Sequence, residues 1–481
     1  MKMENRTGML LQPHILLTAC LVVHAFIRLF FSQTFQVDDA EQIRLSQDLL
    51  LGYPIPQPPL YSWLSWGAFQ IFGTGLLALT LLKYTIIFLT FWFTWLVSGQ
   101  LFQHLQTRYI VTFSYLLMPS FAWHMHQGFT HTILLGFGII LSLHALLSVK
   151  NNPNTKNYLY LGLAFGIGLM GKYSFLLFMV AILVSALSVN SYRKIIFNSK
   201  ILFSIGVFIL MIGPHAYWLS QHYQEIFTSI DQKLQVTNDN SLIDRSQSVW
   251  QFSTVAIAFV VPFALVFLIN SWKRLFNTDK QLAKQDNVLL LNRFYWVIII
   301  SVIVLALFVS MPHFKVRWFH PLMMIFPLWM MLRIERQELL SKSIVKWFNA
   351  ILIILTISIL SIRLLQVTIG PNLDRYGRLN IPVHETLNKL DNSLLDSSIL
   401  KTNDAFLGAH LLSKYPDNVV VINSKRYNDL KSSQCLWLWD DDDAYVKPNT
   451  DNIIKSGQLV TYVAEFKYTL FYALTPKQEC N

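Results

Sequence analysis

Three acidic side chains lie within four residues, directly after an apolar stretch long enough to cross a bilayer. They are Asp38, Asp39 and Glu41, in the sequence VDDAEQIRL at 37–45. Carboxylates beside a membrane cost free energy, so this position favours a functional role. One such role is general base catalysis, in which a carboxylate takes a proton from an acceptor hydroxyl. The structural alternative is that an acid caps a helix and complements its dipole.

Basic side chains that could bind an anionic group follow later in the chain. They are Lys172, Arg245, Lys315, Arg317 and His320. Arginine and lysine stabilise the charge that develops on a phosphate leaving group. Anchoring to lipid headgroups explains the same residues without a substrate. Lys172 in particular interrupts two apolar runs, and its long side chain can reach the membrane interface.

The spacing of the other polar groups does not predict a metal site. His124, His126 and His131 lack the i, i+4 spacing of a two-histidine helix site. His131 is expected to hydrogen-bond either to substrate or to a neighbouring helix. The acidic run at 440–443 is expected to be a solvated turn, although oxygen ligands also suit a divalent cation. We therefore predict no metal ligand set and leave a divalent metal cofactor open.

The glycine-rich sequence GIGLMGKY at 166–173 has the spacing of a phosphate-binding loop. It lies in an apolar run, without a preceding strand and without the following Ser or Thr, so we exclude a nucleotide site here. Gly162 and Gly166 are instead expected to let two helices approach closely.

The composition of the chain is that of an integral membrane protein. Of its 481 residues, 53% are hydrophobic and 14% are charged, and the mean hydropathy is +0.42. Soluble domains carry roughly 25% charged residues. The first apolar run is too long for the core of a signal peptide and is expected to be a retained helix.

The apolar runs predict about 11 membrane-spanning helices of roughly 20 residues. They lie near 10–31, 76–98, 109–123, 131–149, 158–171, 173–190, 201–219, 251–271, 292–311, 317–332 and 344–366. The chain has a formal charge of +11, and its Lys and Arg residues concentrate in alternate loops. By the positive-inside rule the amino terminus is cytoplasmic and residues 367–481 lie outside the cytoplasm. Because the positive charge follows the membrane topology, it does not indicate that the protein binds nucleic acid.

Two domains follow from this pattern. Residues 1–366 form a transmembrane domain whose first outer loop is 32–75, and residues 367–481 form a small soluble α/β domain. The latter contains β-rich runs, such as NVVVIN at 418–423, and helix-like segments. Cys435 and Cys480 lie in it and would be able to pair in an oxidising compartment; the sequence leaves this open.

The first outer loop is expected to lie on the membrane surface. Residues 40–51 suit a short interfacial helix, capped by Asp38 or Asp39 and ended by Gly52. Its residues Ile43, Leu50 and Leu51 are expected to face lipid. Four prolines and several aromatic residues follow and should anchor the next helix at the interface.

Several motifs taken together resemble those of the dolichyl-phosphate-mannose protein mannosyltransferase superfamily. The chain has Asp-Asp-x-Glu after its first span and then Gln-Pro-Pro-Leu-Tyr-x-Trp at 57–63. It also has Thr-His-Thr at 130–132, Gly-Lys-Tyr at 171–173 and Lys-x-Arg-Trp-x-x-Pro at 315–321. Bacterial relatives in glycosyltransferase family 39, such as lipid A aminoarabinose transferases, belong to the same GT-C class of membrane enzymes.

The resemblance implies a polytopic α-helical GT-C fold and a polyprenyl-phosphate-linked sugar as donor. In that family an acidic residue of the first outer loop is the base, which corresponds to Asp38 or Asp39 here. Glu41 and Gln57 lie within the matching motifs and are expected to contact substrate. Some relatives have a metal-binding Glu before the proline motif, but this chain has Pro56 and Gln57 there.

The sequence therefore predicts an inverting glycosyltransferase in the bacterial inner membrane that acts on the outer face. The acceptor is expected to be lipid A, another glycan or protein, and the sequence does not identify the sugar. A transporter or flippase of lipid-linked sugars is the rival hypothesis, and a non-catalytic scaffold is a third. Mid-membrane charges and inverted repeats would favour a transporter.

Overall fold

The computed structural model describes residues 12–224, 285–308, 320–373, 375–395, 398–422, 425–427, 434–441 and 452–480, with scattered positions between 228 and 267. The chain divides into two compact units. Unit 1 comprises Met1–Thr18, Leu50–Tyr61 and Thr85–Ile357. Unit 2 comprises Ala19–Leu49, Ser62–Tyr84 and Ser358–Asn481. The predicted domain boundary at residue 366 stays a prediction.

Helices make up most of the described chain before residue 370. They are α1 Gln12–Phe30, α2 Val37–Leu45, α3 Leu60–Phe72, α4 Leu76–Leu101, α5 Leu105–Ser114, α6 Pro119–Ala122, α7 Thr130–Asn151, α8 Thr155–Gly171, α9 Phe175–Ser188, α10 Asn190–Ile196, α11 Ile201–Gln221, α12 Asp286–Phe308, α13 His320–Met323, α14 Phe326–Arg336 and α15 Lys342–Thr368. Within the described ranges, α4, α7, α11 and α15 are long and apolar enough to cross a membrane, and α9 with α10 would make a bent fifth span. The protein is therefore helical and polytopic, while the count of about 11 spans stays a prediction.

The apolar run at 109–123 does not form one continuous helix. Helix α5 ends at Ser114, a 3₁₀ turn covers Tyr115–Leu117, and the short α6 begins at Pro119. Met118 is extended, with φ −87° and ψ 122°. A proline disfavours the helical conformation of the residue before it, which explains the break. The expected span at 109–123 is therefore wrong as a single helix.

Glycines allow α8 and α11 to pack closely within unit 1. A Cβ atom at Gly162 would lie 2.2 Å from the Ser204 carbonyl oxygen, and one at Gly166 would lie 2.6 Å from Met211 Sδ. Only glycine fits at Gly162, because the obstructing atom belongs to the backbone. The expected role of these two glycines in helix packing is confirmed.

The C-terminal region, residues 367–481, contains a mixed β-sheet. Its described strands are β1 Ser398–Thr402, β2 Val420–Ile422, β3 Lys425–Tyr427, β4 Gln434–Asp440, β5 Lys455–Val463 and β6 Phe466–Pro476. They are arranged in the order β3-β2-β1-β4-β6-β5. Strand β1 pairs in parallel with β2 and β4, and the other pairs are antiparallel. The helices α16 Val383–Leu387, α17 Asn392–Leu395 and α18 Ala405–Lys414 accompany the sheet.

A disulfide joins Cys435 on β4 to Cys480 after β6, with the two Cα atoms 5.5 Å apart. Both cysteines are buried with Ile399, Val419 and Val421 in an apolar cluster. The pairing that the sequence left open is thus present in the structure.

The first loop differs from the expected interfacial helix. Helix α2 begins at Val37 and ends at Leu45, and its N-cap is Gln36, which makes no side-chain capping bond. Asp38 and Asp39 lie in the first turn, where the helix dipole favours acids, but neither is the cap. Ile43 is fully buried against apolar residues of the C-terminal region, so its expected lipid contact is wrong. Helix α3 begins directly after Pro59.

Candidate functional site

Asp39 lies at the centre of a buried ion cluster in unit 2. Its Oδ2 lies 3.4 Å from a guanidinium nitrogen of Arg28, and its Oδ1 lies 3.2 Å from Lys83 Nζ. The Asp39 side chain is 2% exposed, and both cations are also buried. Arg28 also donates to the carbonyl oxygens of Ser32 and Thr34 at 2.9 and 2.8 Å. The cluster thus joins the end of α1, the start of α2 and α4.

The electrostatics of this cluster keep Asp39 ionised. Burial alone raises the pKa of the Asp39 carboxyl, but the charges and hydrogen bonds of Lys83 and Arg28 outweigh it and lower the pKa below its usual value. A carboxylate with a lowered pKa and two bound cations is a poor proton acceptor. Its surroundings therefore suit a positioning role.

Asp38 has different surroundings from its neighbour. Asp38 and Glu41 are both partly exposed, whereas Asp39 and Gln42 are buried. Because residues three apart on a helix are neighbours, Asp38 and Glu41 lie on one side of α2. On the buried side, Ser62 Oγ of α3 donates to Gln42 Oε1 at 2.8 Å. Helix α2 is therefore fixed by Asp39 and Gln42, while its partly exposed side presents two carboxylates.

A second polar cluster in unit 1 brings three sequence motifs together. Lys172 is 7% exposed, and its Nζ donates to Thr132 Oγ1 at 2.8 Å. His131 Nδ1 lies 3.3 Å from the Gly171 carbonyl oxygen, and the His131 ring lies 5.6 Å from that of Tyr61. The Thr-His-Thr, Gly-Lys-Tyr and proline-aromatic motifs thus meet at one place.

The local backbone explains why Lys172 points into this cluster. Helix α8 ends at Gly171, and Lys172 is extended, with φ −165° and ψ 135°, before α9 begins. Its side chain therefore leaves the helical path and reaches the start of α7. Next to it, Tyr173 Oη lies 2.7 Å from His215 Nε2, and His215 Nδ1 lies 2.9 Å from the Leu51 carbonyl oxygen. If the imidazole is neutral, Nδ1 donates to Leu51 and Nε2 accepts from Tyr173.

Gln57 lies in the proline-rich turn before α3 and is partly buried. Its main-chain N–H donates to the Ile55 carbonyl oxygen at 2.8 Å. Its side-chain Oε1 is buried and has no hydrogen-bond donor among the residues that the structure describes. Buried polar atoms are normally paired, so this oxygen is available to a bound group.

Several predicted site residues cannot be placed. Arg245, Lys315 and Arg317 lie outside the described residues. His320 begins α13, but its side chain also lies outside them.

The described ranges contain no group of three or more His, Cys, Asp or Glu residues that could hold a metal ion. His126 and His131 are buried and His124 is partly exposed, without forming such a group. Of the acidic run at 440–443, Asp440 and Asp441 are described.

Arg28 and Lys83 are the residues that sequence reasoning missed. Each is a single charge within an apolar run, at 10–31 and 76–98. Ionisable residues inside predicted spans are rare and usually paired, so this signal was present in the sequence. It would have directed attention to the acids of the first loop as their partners.

Comparisons with known proteins show sequence similarity over most of the chain. The model of the family described as dolichyl-phosphate-mannose-protein mannosyltransferase matches residues 56–218. Lipopolysaccharide core galacturonosyltransferase RgtB of Rhizobium johnstonii is 27% identical over 83% of this chain and 81% of its own length. RgtA of the same organism, also a lipopolysaccharide core galacturonosyltransferase, is 24% identical over 87% of this chain and 84% of its own length.

Among solved structures, ArnT from Cupriavidus metallidurans bound to undecaprenyl phosphate has a similar fold. The TM-score is 0.59 at 14% sequence identity, with 97% of this chain and 98% of ArnT covered. The apo state of ArnT matches with a TM-score of 0.55. The shared fold and the sequence matches confirm the predicted resemblance of this chain to the GT-C superfamily of membrane glycosyltransferases.

Proposed function

We propose that the protein transfers a sugar from a polyprenyl-phosphate donor to an acceptor of the cell envelope. Two relatives over most of the chain are named as lipopolysaccharide core galacturonosyltransferases. A protein of the same fold was solved with undecaprenyl phosphate. These names make galacturonic acid on polyprenyl phosphate the first donor to test. Lipopolysaccharide core is the first acceptor to test, before lipid A, other glycans and protein.

The reaction is a single in-line displacement. The acceptor hydroxyl oxygen attacks the anomeric carbon, and the bond from that carbon to the phosphate oxygen breaks. The hydroxyl proton passes to a carboxylate, and the polyprenyl phosphate leaves with the bonding electrons. One displacement inverts the configuration of the anomeric carbon. General base catalysis of this kind contributes about 10²- to 10⁴-fold in rate.

The contrast between the two adjacent aspartates carries this proposal. Asp39 is buried and bound to two cations, so it holds α2 in place. Asp38 lies on the partly exposed side of the same helix. Asp38 is therefore the general base, and Glu41, one turn away, contacts the acceptor.

The second cluster is assigned to the donor. Lys172 supplies a positive charge for the phosphate, in place of or in addition to its bond to Thr132. His131 and the buried Oε1 of Gln57 supply hydrogen bonds to the sugar. Arg245, Lys315, Arg317 and His320 are proposed as further phosphate contacts on their sequence alone.

The proposed location is the bacterial inner membrane, with the amino terminus in the cytoplasm and the C-terminal region outside it. The Cys435–Cys480 disulfide supports this orientation, because such bonds persist in oxidising compartments. No nucleotide sugar is required there, since the donor is lipid-linked.

A transfer assay separates this function from a transporter or flippase. Purified protein in detergent is mixed with labelled galacturonosyl polyprenyl phosphate and lipopolysaccharide core. A glycosyltransferase moves the label to the acceptor without a sealed membrane. Movement of label across vesicles, with no covalent transfer to any acceptor class, would contradict the proposal and favour the flippase.

A further inference from the structure

The segment that leads into α2 is fastened to the C-terminal region, within the same compact unit. Ser32 Oγ donates to the Leu379 carbonyl oxygen at 2.6 Å. Two residues later, Thr34 Oγ1 donates to the Ile381 carbonyl oxygen, also at 2.6 Å. Ser32 and Thr34 are both buried. Two short side-chain hydrogen bonds, from residues two apart, therefore attach this segment to the C-terminal region.

Phe35 adds an aromatic contact at the same place. Its ring stacks on the His410 ring of α18, with centroids 4.4 Å apart and an interplanar angle of 25°. The Phe35 N–H donates to His410 Nε2 at 3.4 Å, which is a long hydrogen bond. His384 of α16 packs against the same His410 ring at 5.0 Å. The His410 imidazole thus forms the contact of the C-terminal region with Phe35 of the first loop.

The contact with Phe35 determines which nitrogen of the neutral His410 ring carries the proton. For Nε2 to accept, the proton of the neutral ring must lie on Nδ1. Nδ1 is buried and has no hydrogen-bond partner among the described residues. Leaving a buried donor unpaired is destabilising. An apolar side chain in this position would avoid that cost but would leave the Phe35 N–H without an acceptor.

Helix α2 itself packs on the C-terminal region. Ile43 is fully buried, and Ala40 is almost so. Both belong to one apolar cluster with residues of α16, α18 and the sheet, including Leu407 and Leu411. Helix α2 contacts α18 along much of its length. The buried side of α2 therefore rests on the C-terminal region.

We infer that the C-terminal region is a positioning part of the active site, which holds the Asp38 helix through Thr34, Phe35 and the apolar side of α2. The inference rests on the proposed function, in which Asp38 is the base. Asp38 follows Thr34 by four residues, and α2 begins between them. A displacement of about 1 Å in a catalytic group is enough to cost about 10²-fold in rate. Leu379, Ile381 and His410 act through α2 and touch no substrate.

The test compares two Thr-to-Val substitutions, each of which removes a buried side-chain hydroxyl and its hydrogen bond. One lies in the segment before α2, and the other lies within the C-terminal region. Thr34→Val removes the bond to Ile381, and Thr34→Ser keeps it. Thr386→Val is the matched control, because buried Thr386 donates to the Pro382 carbonyl oxygen at 2.8 Å entirely within the C-terminal region. Thr386 Oγ1 also lies 2.8 Å from Thr461 Oγ1, so the control removes at least as much bonding.

The expected result is a loss in kcat that is specific to Thr34→Val. We expect kcat to fall about tenfold or more, with the donor KM unchanged within about twofold. Thr34→Ser should restore kcat to near wild type. Thr386→Val should lower the unfolding temperature while its kcat stays near that of the wild type. Unchanged kcat in Thr34→Val, or an equal loss in Thr386→Val, would overturn the inference.

Hydrogen exchange of the α2 amides gives a readout that does not need activity. Thr34→Val should speed exchange across 37–45, and Thr386→Val should leave it unchanged. If the α2 amides exchange at the same rate in wild type and Thr34→Val, the Thr34 bond does not hold α2 to the C-terminal region, and the inference is overturned. An inactive wild-type protein overturns the proposed function instead, and the exchange rates then still decide whether the C-terminal region holds α2.

Discussion

Asp38 and Asp39 are adjacent in the sequence but differ in burial in the folded chain. Asp39 has two buried cations within 3.4 Å, and Asp38 lies on the partly exposed side of α2. Two carboxylates of one site can take different roles, one structural and one catalytic, when their environments differ. The helix geometry produces this division, since consecutive residues point about 100° apart.

Replacing Asp39 should damage the fold more than the chemistry. Asp39→Asn leaves Arg28 and Lys83 buried beside a neutral group, and breaking a buried ion pair costs about 3–5 kcal/mol. The unfolding temperature in detergent should therefore drop clearly. The matched control is Asp48→Asn in the same unit, since Asp48 is exposed and lies 3.7 Å from exposed Lys425. Surface pairs contribute about 0–1 kcal/mol, so this control should unfold like wild type. An unchanged unfolding temperature for Asp39→Asn would refute the ion-cluster account.

At the scale of elements, the contact of α8 with α11 depends most on Gly162, where a side chain would meet backbone atoms. A methyl group at Gly162 would collide with the backbone of Ser204. Gly162→Ala should therefore destabilise the protein by about 1–3 kcal/mol through overpacking. Gly206→Ala, on exposed α11 backbone with open space around it, should instead be neutral or gain up to about 1 kcal/mol of helix propensity. Thermal unfolding of the two variants, measured side by side, checks this. Equal unfolding temperatures for Gly162→Ala and Gly206→Ala would mean that α8 and α11 pack less closely than described.

The C-terminal region should lose stability in acid because two of its histidines are held neutral. Burial, followed by the charge of Lys414, lowers the pKa of His384 to about 4. Burial, followed by His384, Arg28 and Arg378, lowers the pKa of His410 well below its usual value. An unfolded histidine has a pKa of about 6.5, so the unfolded state binds more protons below that pH. The stabilisation is thus complete above pH 6.5 and is lost as the pH falls towards 4.

Hydrogen exchange in α18 and β1 between pH 7.5 and 4.5, corrected for the intrinsic rates, measures this loss. His384→Gln removes one of the two titrations and should flatten the pH dependence. The predicted trend is contradicted if wild-type protection is the same across the range, or if it rises as the pH falls.

For the whole molecule, the sequence allowed the membrane class, the sheet-containing C-terminal region and the acidic motif to be predicted. Those features depend on composition, local periodicity and short motifs, which a single chain displays directly. The partners of Asp39 were missed because Arg28 and Lys83 lie 11 and 44 residues away from it. The burial of Ile43 was missed for the same reason, since the surface that covers it is formed by residues far along the chain.

The central claim is that Asp38 is the base of a polyprenyl-phosphate-dependent sugar transfer. Asp38→Asn keeps the size of the side chain and removes the carboxylate. In purified protein we expect transfer from labelled galacturonosyl polyprenyl phosphate to fall by about 10²- to 10⁴-fold. The unfolding temperature and the hydrogen-exchange protection of α2 should stay as in wild type, which shows that the loss is chemical. Transfer by Asp38→Asn at a rate close to that of the wild type would contradict the account.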